Sequence, residues 1–409
     1  MRRLARAMPM VLLALLLAVP AAAQQRPPGW QKLPVSEIPN FRTAWRKVLV
    51  TLAAYAKGRN PNFVVLMHGG AELLVKGERE ADWEQARDPE GATYEKRLPL
   101  GTVFRDFIRP LDGLVLDGLY CGADRLDQPL DAAIRARKAL DAKLAEERSR
   151  GIQQPPVPTQ MGPFSLDPQV ELKRAAEVRR LALRAEHQRR EIYAIDAMRG
   201  LGRTVLSIEN CASPAEAEAA YADAGRDHVL TFAAAGDSRL DRLPPVHAAL
   251  ENARPVADVT QARDWLPMLH GDGYTTRGEW VTALAGTNYD VLVIDVVHRS
   301  GDPLTKADVA KLHYKTLGPP RLVLADLPIG VAFDSQWYWQ KSWTLGDPAF
   351  LYAPDPDRPG AYIADLSNPQ WKELLGKYIA GIMDLGFDGV MFDDVGTYLW
   401  FEAMTPLDG

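Results

Sequence analysis

Two cysteines in 409 residues are too few for a disulfide-built scaffold, and the clustered Cys/His spacing of a structural zinc site is missing. Other fingerprints of metal and cofactor chemistry are absent too. His68-Gly69-Gly70-Ala71 lacks the spacing of a dinucleotide-binding glycine motif, and the chain has no H-E-x-x-H helix, no Asp-rich calcium loop and no G-x-S-x-G nucleophile turn. Neither metal nor organic cofactor is therefore expected. Positive charge is not in excess: Lys+Arg number 48 against 53 Asp+Glu, a net charge of −5, which argues against nucleic acid and anionic membrane as partners. The apolar run 11–19 falls short of the about 20 residues that span a bilayer.

The hydrophobic fraction of 47% and charged fraction of 25% are those of a globular chain, which excludes wholesale disorder and collagen-like repetition. Arg2, Arg3 and Arg6 ahead of that run, with Ala21-Ala22-Ala23 behind it, predict a signal peptide over 1–23. The mature chain is expected to span 24–409 and to be periplasmic or extracellular. Loss of the three leader arginines would take the net charge from −5 to −8.

Short apolar runs bounded by turn residues alternate with amphipathic segments and predict eight strands, at 63–67, 113–119, 204–208, 228–232, 255–259, 290–296, 321–327 and 389–392. The fifth is the weakest. Near-continuous hydrophobic strands alternating with helices imply a parallel sheet covered on both faces, and eight of them imply an α/β fold of the (β/α)8 TIM barrel type. A doubly wound open sheet is the alternative. The charged, Ala-rich segment 129–200 predicts a helical insertion between strands 2 and 3, broken by Pro-rich residues at 153–158 and read as a solvated arm. Cys121 and Cys211 each follow a strand; if those strands are neighbours a disulfide is reachable, and otherwise they are inert buried thiols.

A barrel of this kind gathers its chemistry at the carboxyl ends of its strands. There the chain places His68, Asp117, Glu209 with Asn210, Asp295 with His298, Asp326, and Asp393 with Asp394. With metal and Ser/Cys chemistry disfavoured, carboxylate acid/base work is what remains. Trp337-Tyr338-Trp339 and Trp343 follow the seventh strand, and Tyr398 and Trp400 the eighth. Such rings either face sugars or pack beneath a long loop.

The segments Asn288-Tyr289-Asp290-Val291-Leu292-Val293-Ile294-Asp295, Arg321-Leu322-Val323-Leu324-Ala325-Asp326-Leu327-Pro328-Ile329-Gly330 and Gly386-Phe387-Asp388-Gly389-Val390-Met391-Phe392-Asp393-Asp394 resemble the first half of glycoside hydrolase family 114, the endo-α-1,4-polygalactosaminidase-like barrels. Residues 45–244 resemble the second half, through 60–70, 111–117 and 202–208, so the two halves stand in reversed order, as in a circular permutation. The resemblance implies a glycoside hydrolase acting on an amino-sugar polysaccharide, with Asp393 as nucleophile or base and Asp117, at the position of the family's Glu, as general acid. It implies further that Asp394, Asp295, Asp326, His68, Tyr338 and Trp339 shape the sugar subsite. Asp326 stands where the family commonly has Tyr, and Val331 where it often has Glu. A non-catalytic polysaccharide-binding protein on the same barrel is the rival expectation.

Overall fold

The computed structural model describes residues 33–88, 97–150, 168–236, 239–244, 250–299 and 301–407, so the signal peptide expected over 1–23 and the Pro-rich stretch 153–158 lie outside the described residues. Eight short strands form one parallel sheet: Val64–His68 (β1), Gly113–Asp117 (β2), Thr204–Cys211 (β3), Leu230–Ala235 (β4), Trp265–Met268 (β5), Val291–Ile294 (β6), Leu322–Pro328 (β7) and Gly389–Asp393 (β8). Hydrogen bonding runs in the order β4-β3-β2-β1-β8-β7-β6-β5, so the sheet curls into a nearly closed barrel that stays unladdered between β4 and β5. The first strand pairs with the last, Val64 opposite Gly389 and Met67 opposite Phe392. Runs such as Val65-Leu66-Met67 and Val291-Leu292-Val293-Ile294 are buried throughout, as a sheet covered on both faces demands.

The fifth strand is not at 255–259, where Val259 opens a 3-10 turn, but at Trp265–Met268. Pro267 disguises it, because proline reads as a strand breaker. It is tolerated here because β5 is bonded along one side only, with Pro267 opposite Val293 of β6.

Close packing of β8 depends on a residue without a side chain. A Cβ at Gly389 would lie 2.4 Å from the Val64 carbonyl oxygen and 2.7 Å from a Leu324 methyl group. Gly389→Ala is therefore expected to cost about 1–3 kcal/mol of stability. Chemical denaturation checks this, and an unchanged midpoint would show that β1 and β8 separate without penalty.

Among the helices, Phe41–Arg59 (α1), Leu130–Ser149 (α2), Pro168–Arg199 (α3) and Pro369–Leu385 (α4) bear on the site. In α4 the Asn368 side chain accepts from the Gln370 N–H, Pro369 occupies the first turn, and Gly386 ends the helix with φ 97°. Its buried residues Trp371, Leu375, Tyr378, Ile379 and Ile382 recur at helical spacing and form one stripe.

Helices α2 and α3 lie between β2 and β3 in the chain, and they depart from a wholly solvated arm. The last turns of α3 bury Glu191, Ala194, Ile195, Ala197 and Met198, while Leu181 and Leu183 earlier in the helix stay exposed. A run of alternating charges hides this because only one side of α3 turns inward, and only over its C-terminal part. Leu130, Ala133 and Ile134 at the start of α2 are also buried.

Cys121 and Cys211 form a disulfide that ties the turn after β2 to the end of β3. Between β7 and α4 an antiparallel sheet of Val331–Phe333, Leu351–Pro354 and Ala361–Ala364 stands over the barrel mouth. Among the described residues no helix is long and apolar enough to cross a membrane.

Candidate active site

Register and parity decide which strand-end residues meet. Partners in adjacent parallel strands point the same way, as do residues two apart along a strand. Asp326 pairs with Met391, Met391 with Leu66, and His68 with Val115, so Asp326, Asp393, His68 and Asp117 all point into the barrel. Val293 opposite Leu324 adds Asp295 to the set. Five consecutive strands, β6, β7, β8, β1 and β2, thus carry an arc of five inward polar groups at or just past their carboxyl ends.

His68 is the keystone of the arc. Its Nδ1 lies 2.9 Å from Asp393 Oδ1 and its Nε2 lies 2.9 Å from Asp117 Oδ2. Two such contacts on opposite edges of one ring set the carboxylate oxygens no more than about 8 Å apart, below the upper limit of the roughly 6.5–9.5 Å typical of inverting glycosidase pairs. The ring itself fills the gap between them. Burial alone would push the imidazole down, but the Asp393 charge and the hydrogen bonds to Asp117 and Asp393 hold its pKa well above 6.5.

The same contacts divide the carboxylates. Burial would raise Asp393, yet the charge and hydrogen bond of His68, the Asp394 N–H at 2.7 Å and the Arg358 charge hold it below the usual carboxylate value. Asp326 goes the opposite way. Burial, then the charges of Asp393, Asp295 and Asp394, push it well above 3.8, and His68 only partly opposes them. Burial lifts Asp295 to about 7 despite hydrogen bonds from the Val297 and Val296 amides. Burial and Asp393 lift Asp394 to about 6 against the pull of Arg358. Asp394 adopts the left-handed conformation, φ 55°, which aims its carboxylate at a fork of Arg358, with Nη2 at 2.8 Å and Nη1 at 3.2 Å.

The shift at Asp295 has a consequence for stability. Its folded carboxyl holds its proton more tightly than the unfolded one, so this contribution is present below 3.8 and is lost as pH rises through about 7. Asp295→Asn should flatten the decline in melting temperature over that window. Parallel curves for variant and wild type would contradict the assignment.

A cavity of about 230 Å³ opens over this acidic floor, lined by Asp295, Asp326, Asp393 and Asp394 together with Asp272, Arg358, Gln336 and Phe333. Asp117 lies outside it, on a neighbouring cavity of about 770 Å³ shared with Glu191, His187 and Asp124. Glu209 faces away from the barrel interior. Its carboxylate accepts from the N–H groups of Leu119, Tyr120 and Cys121 at 2.9–3.1 Å and so shapes the turn after β2. His298 is buried with Nε2 3.1 Å from the Tyr274 carbonyl oxygen.

The structure places the aromatic candidates mainly in a wall behind the cavity. Tyr338 is buried among Trp337, Trp343, Trp371 and Tyr378, and its hydroxyl accepts from the Phe333 N–H at 3.1 Å. Trp339 stacks on Tyr362 at 5.0 Å. Phe333, Ser335 and Gln336, from the same loop, reach the cavity. Arg358 has no counterpart among the residues singled out in the sequence. It sits in the Asp355-Pro356-Asp357-Arg358-Pro359-Gly360 turn, which carries no signal beyond that of a surface loop. Among the described residues no group of His, Cys, Asp and Glu side chains is disposed to hold a metal ion.

No family model matches the chain. Uncharacterized proteins of Deinococcus radiodurans and Methanocaldococcus jannaschii are each 26% identical to it, over 49% and 37% of this chain and 58% and 43% of their own lengths. An uncharacterized protein of Thermotoga maritima is 28% identical over 28% of this chain and 35% of its own length. The chain therefore spans between about a third and three fifths of these relatives.

Proposed function

We propose that this protein is an exported glycoside hydrolase that cleaves an amino-sugar polysaccharide by carboxylate acid/base chemistry. The observation that carries the reading is the division of neighbouring inward carboxylates at the barrel mouth: Asp393 is held ionised by His68, and Asp326 is pushed toward its protonated form. Glycosidic hydrolysis needs one carboxylate and one carboxylic acid at the same pH, and divergent environments supply such a pair. The Cys121–Cys211 disulfide accords with export, because such bridges persist in oxidising compartments.

Release of oligosaccharides from acetylated and partly deacetylated α-1,4-linked galactosamine polymers by residues 24–409 tests the reading. Products that disappear with Asp393→Asn support it. Binding of the polymer without any products would favour the second reading, a polysaccharide-binding barrel. The His68 ring between Asp117 and Asp393 is what speaks for that alternative, since it occupies the gap a scissile bond would need between those two acids.

A further inference from the structure

We propose that Asp326, rather than Asp117, is the proton donor that works with Asp393, and that Asp117 acts through His68. This rests on the hydrolytic reading above. A leaving oxygen placed between Asp117 and Asp393 would have to displace an imidazole whose two nitrogens are both engaged, at 2.9 Å each. Asp117 also opens on the other cavity, and its side chain is 66% exposed.

Asp326 has the opposite surroundings. It lies on β7, the strand bonded to β8, at the level of Met391, one inward layer below Asp393, and both acids line the 230 Å³ cavity. Only 8% of the residue is exposed, and its Oδ1 has no hydrogen-bond partner among the described residues. An ionised carboxylate left so would be costly, whereas a protonated one keeps an O–H that it can direct into the cavity. The carboxylates around it act in the same sense, Asp393 and Asp394 from the end of β8 and Asp295 after β6 disfavouring its anion, and His68 from β1 is the opposing charge. Tyr378 from α4 lies near enough to feel its charge, with its hydroxyl donating to Gln336 Oε1 at 3.0 Å. Asp295 is the lesser candidate, because it accepts the Val297 N–H at 3.1 Å and stands one strand further from Asp393.

In the step this implies, the Asp326 proton moves to the glycosidic oxygen while the bond from that oxygen to the anomeric carbon breaks, its electron pair leaving with the oxygen. Water supplies the new bond to the anomeric carbon and gives its proton to Asp393. Passage of that proton through solvent back to Asp326 restores both acids, so one water is consumed for each bond cleaved. Asp117 is a positioning residue, holding the far nitrogen of His68 so that the imidazolium keeps Asp393 ionised.

The test compares wild type, Asp326→Asn, Asp117→Asn and Asp393→Asn on partly deacetylated α-1,4-galactosamine polymer and on the 2,4-dinitrophenyl glycoside of the same sugar, whose leaving group needs no proton. Asp326→Asn should lose about 10²–10⁴-fold on the polymer but less than about tenfold on the dinitrophenyl glycoside, and its pH profile should lose the alkaline limb. Asp117→Asn should keep that limb, and Asp393→Asn should fail on both substrates. The leaving-group pattern appearing in Asp117→Asn and not in Asp326→Asn would overturn the proposal. Infrared difference spectra read the same group without any substrate. A carboxylic acid C=O band present at pH 7 and missing from Asp326→Asn is expected, and its absence from the wild type would overturn the assignment whatever the substrate. A protein that cleaves neither substrate would overturn the hydrolase reading and the proton-donor role with it, the band then reporting only that Asp326 keeps its proton.

Discussion

Asp393→Asn should lower turnover of the polymer by at least about 10³-fold while the barrel stays folded. Asparagine keeps the shape of the side chain and can still accept the Asp394 N–H and meet His68, so little packing is lost. What disappears is the negative charge. That charge is the strongest support of the His68 imidazolium after burial is counted, and the strongest of the charges that keep Asp326 protonated. Both groups should therefore titrate lower in the variant, and residual activity should show an alkaline limb displaced to lower pH. Measurement of kcat and KM across pH, with polymer affinity followed separately, distinguishes a lost catalytic charge from a lost binding contact. Retention of more than about a tenth of wild-type kcat would remove Asp393 from the chemistry.

Lys315→Met should cost about 3–5 kcal/mol of stability. Lys315 pairs with Asp290 in a fully buried ion pair and also donates to the carbonyl oxygens of Asn252 at 3.1 Å and Arg254 at 2.9 Å. Asp290 in turn accepts from the Arg263 N–H at 2.7 Å and from the Asn252 amide. Methionine fills much of the volume but leaves the Asp290 charge buried without its counterion. Because Asp290 precedes β6, this network sits at the amino end of the barrel, away from the carboxylate arc. Activity per folded molecule should hold, and Lys315→Met combined with Asp290→Asn should recover part of the loss. Equilibrium denaturation decides it; a loss under about 1 kcal/mol would show that Asp290 finds another partner or water.

Seven of the eight strands were legible to within a few residues because each is built on a short, mainly apolar run bounded by turn residues, and a run buried on both faces needs no periodicity to be noticed. The fifth was missed for a local reason, since Trp265-Leu266-Pro267-Met268 contains the one residue type that strand patterns reject. The buried end of α3 was missed for the complementary reason. Its charges are real, and nothing in their order says where along a 32-residue helix the barrel begins to cover one side.

The strand-end acids were visible one by one, because polar residues closing apolar runs stand out. Their relations were not. That Asp117 and Asp393 flank a single strand could be counted from the sequence; that His68 reaches both at once depends on side-chain direction and on the curl of the sheet. Tyr338 and Trp339 follow the same rule. The sequence shows a run of aromatics but not that Phe333 and Gln336 reach the cavity from that loop while Tyr338 packs behind it.

By itself, then, the amino-acid order determined the α/β alternation, the parallel character of the sheet and the set of carboxylates at one end of it, because hydrophobic runs and their polar endings are local properties of the chain. Only the tertiary structure decided which carboxylate ionises, which keeps its proton and which cavity each one faces. Those outcomes depend on burial and on charges that lie far apart in the chain: Asp326 meets Asp393 and His68 only when β7, β8 and β1 stand side by side.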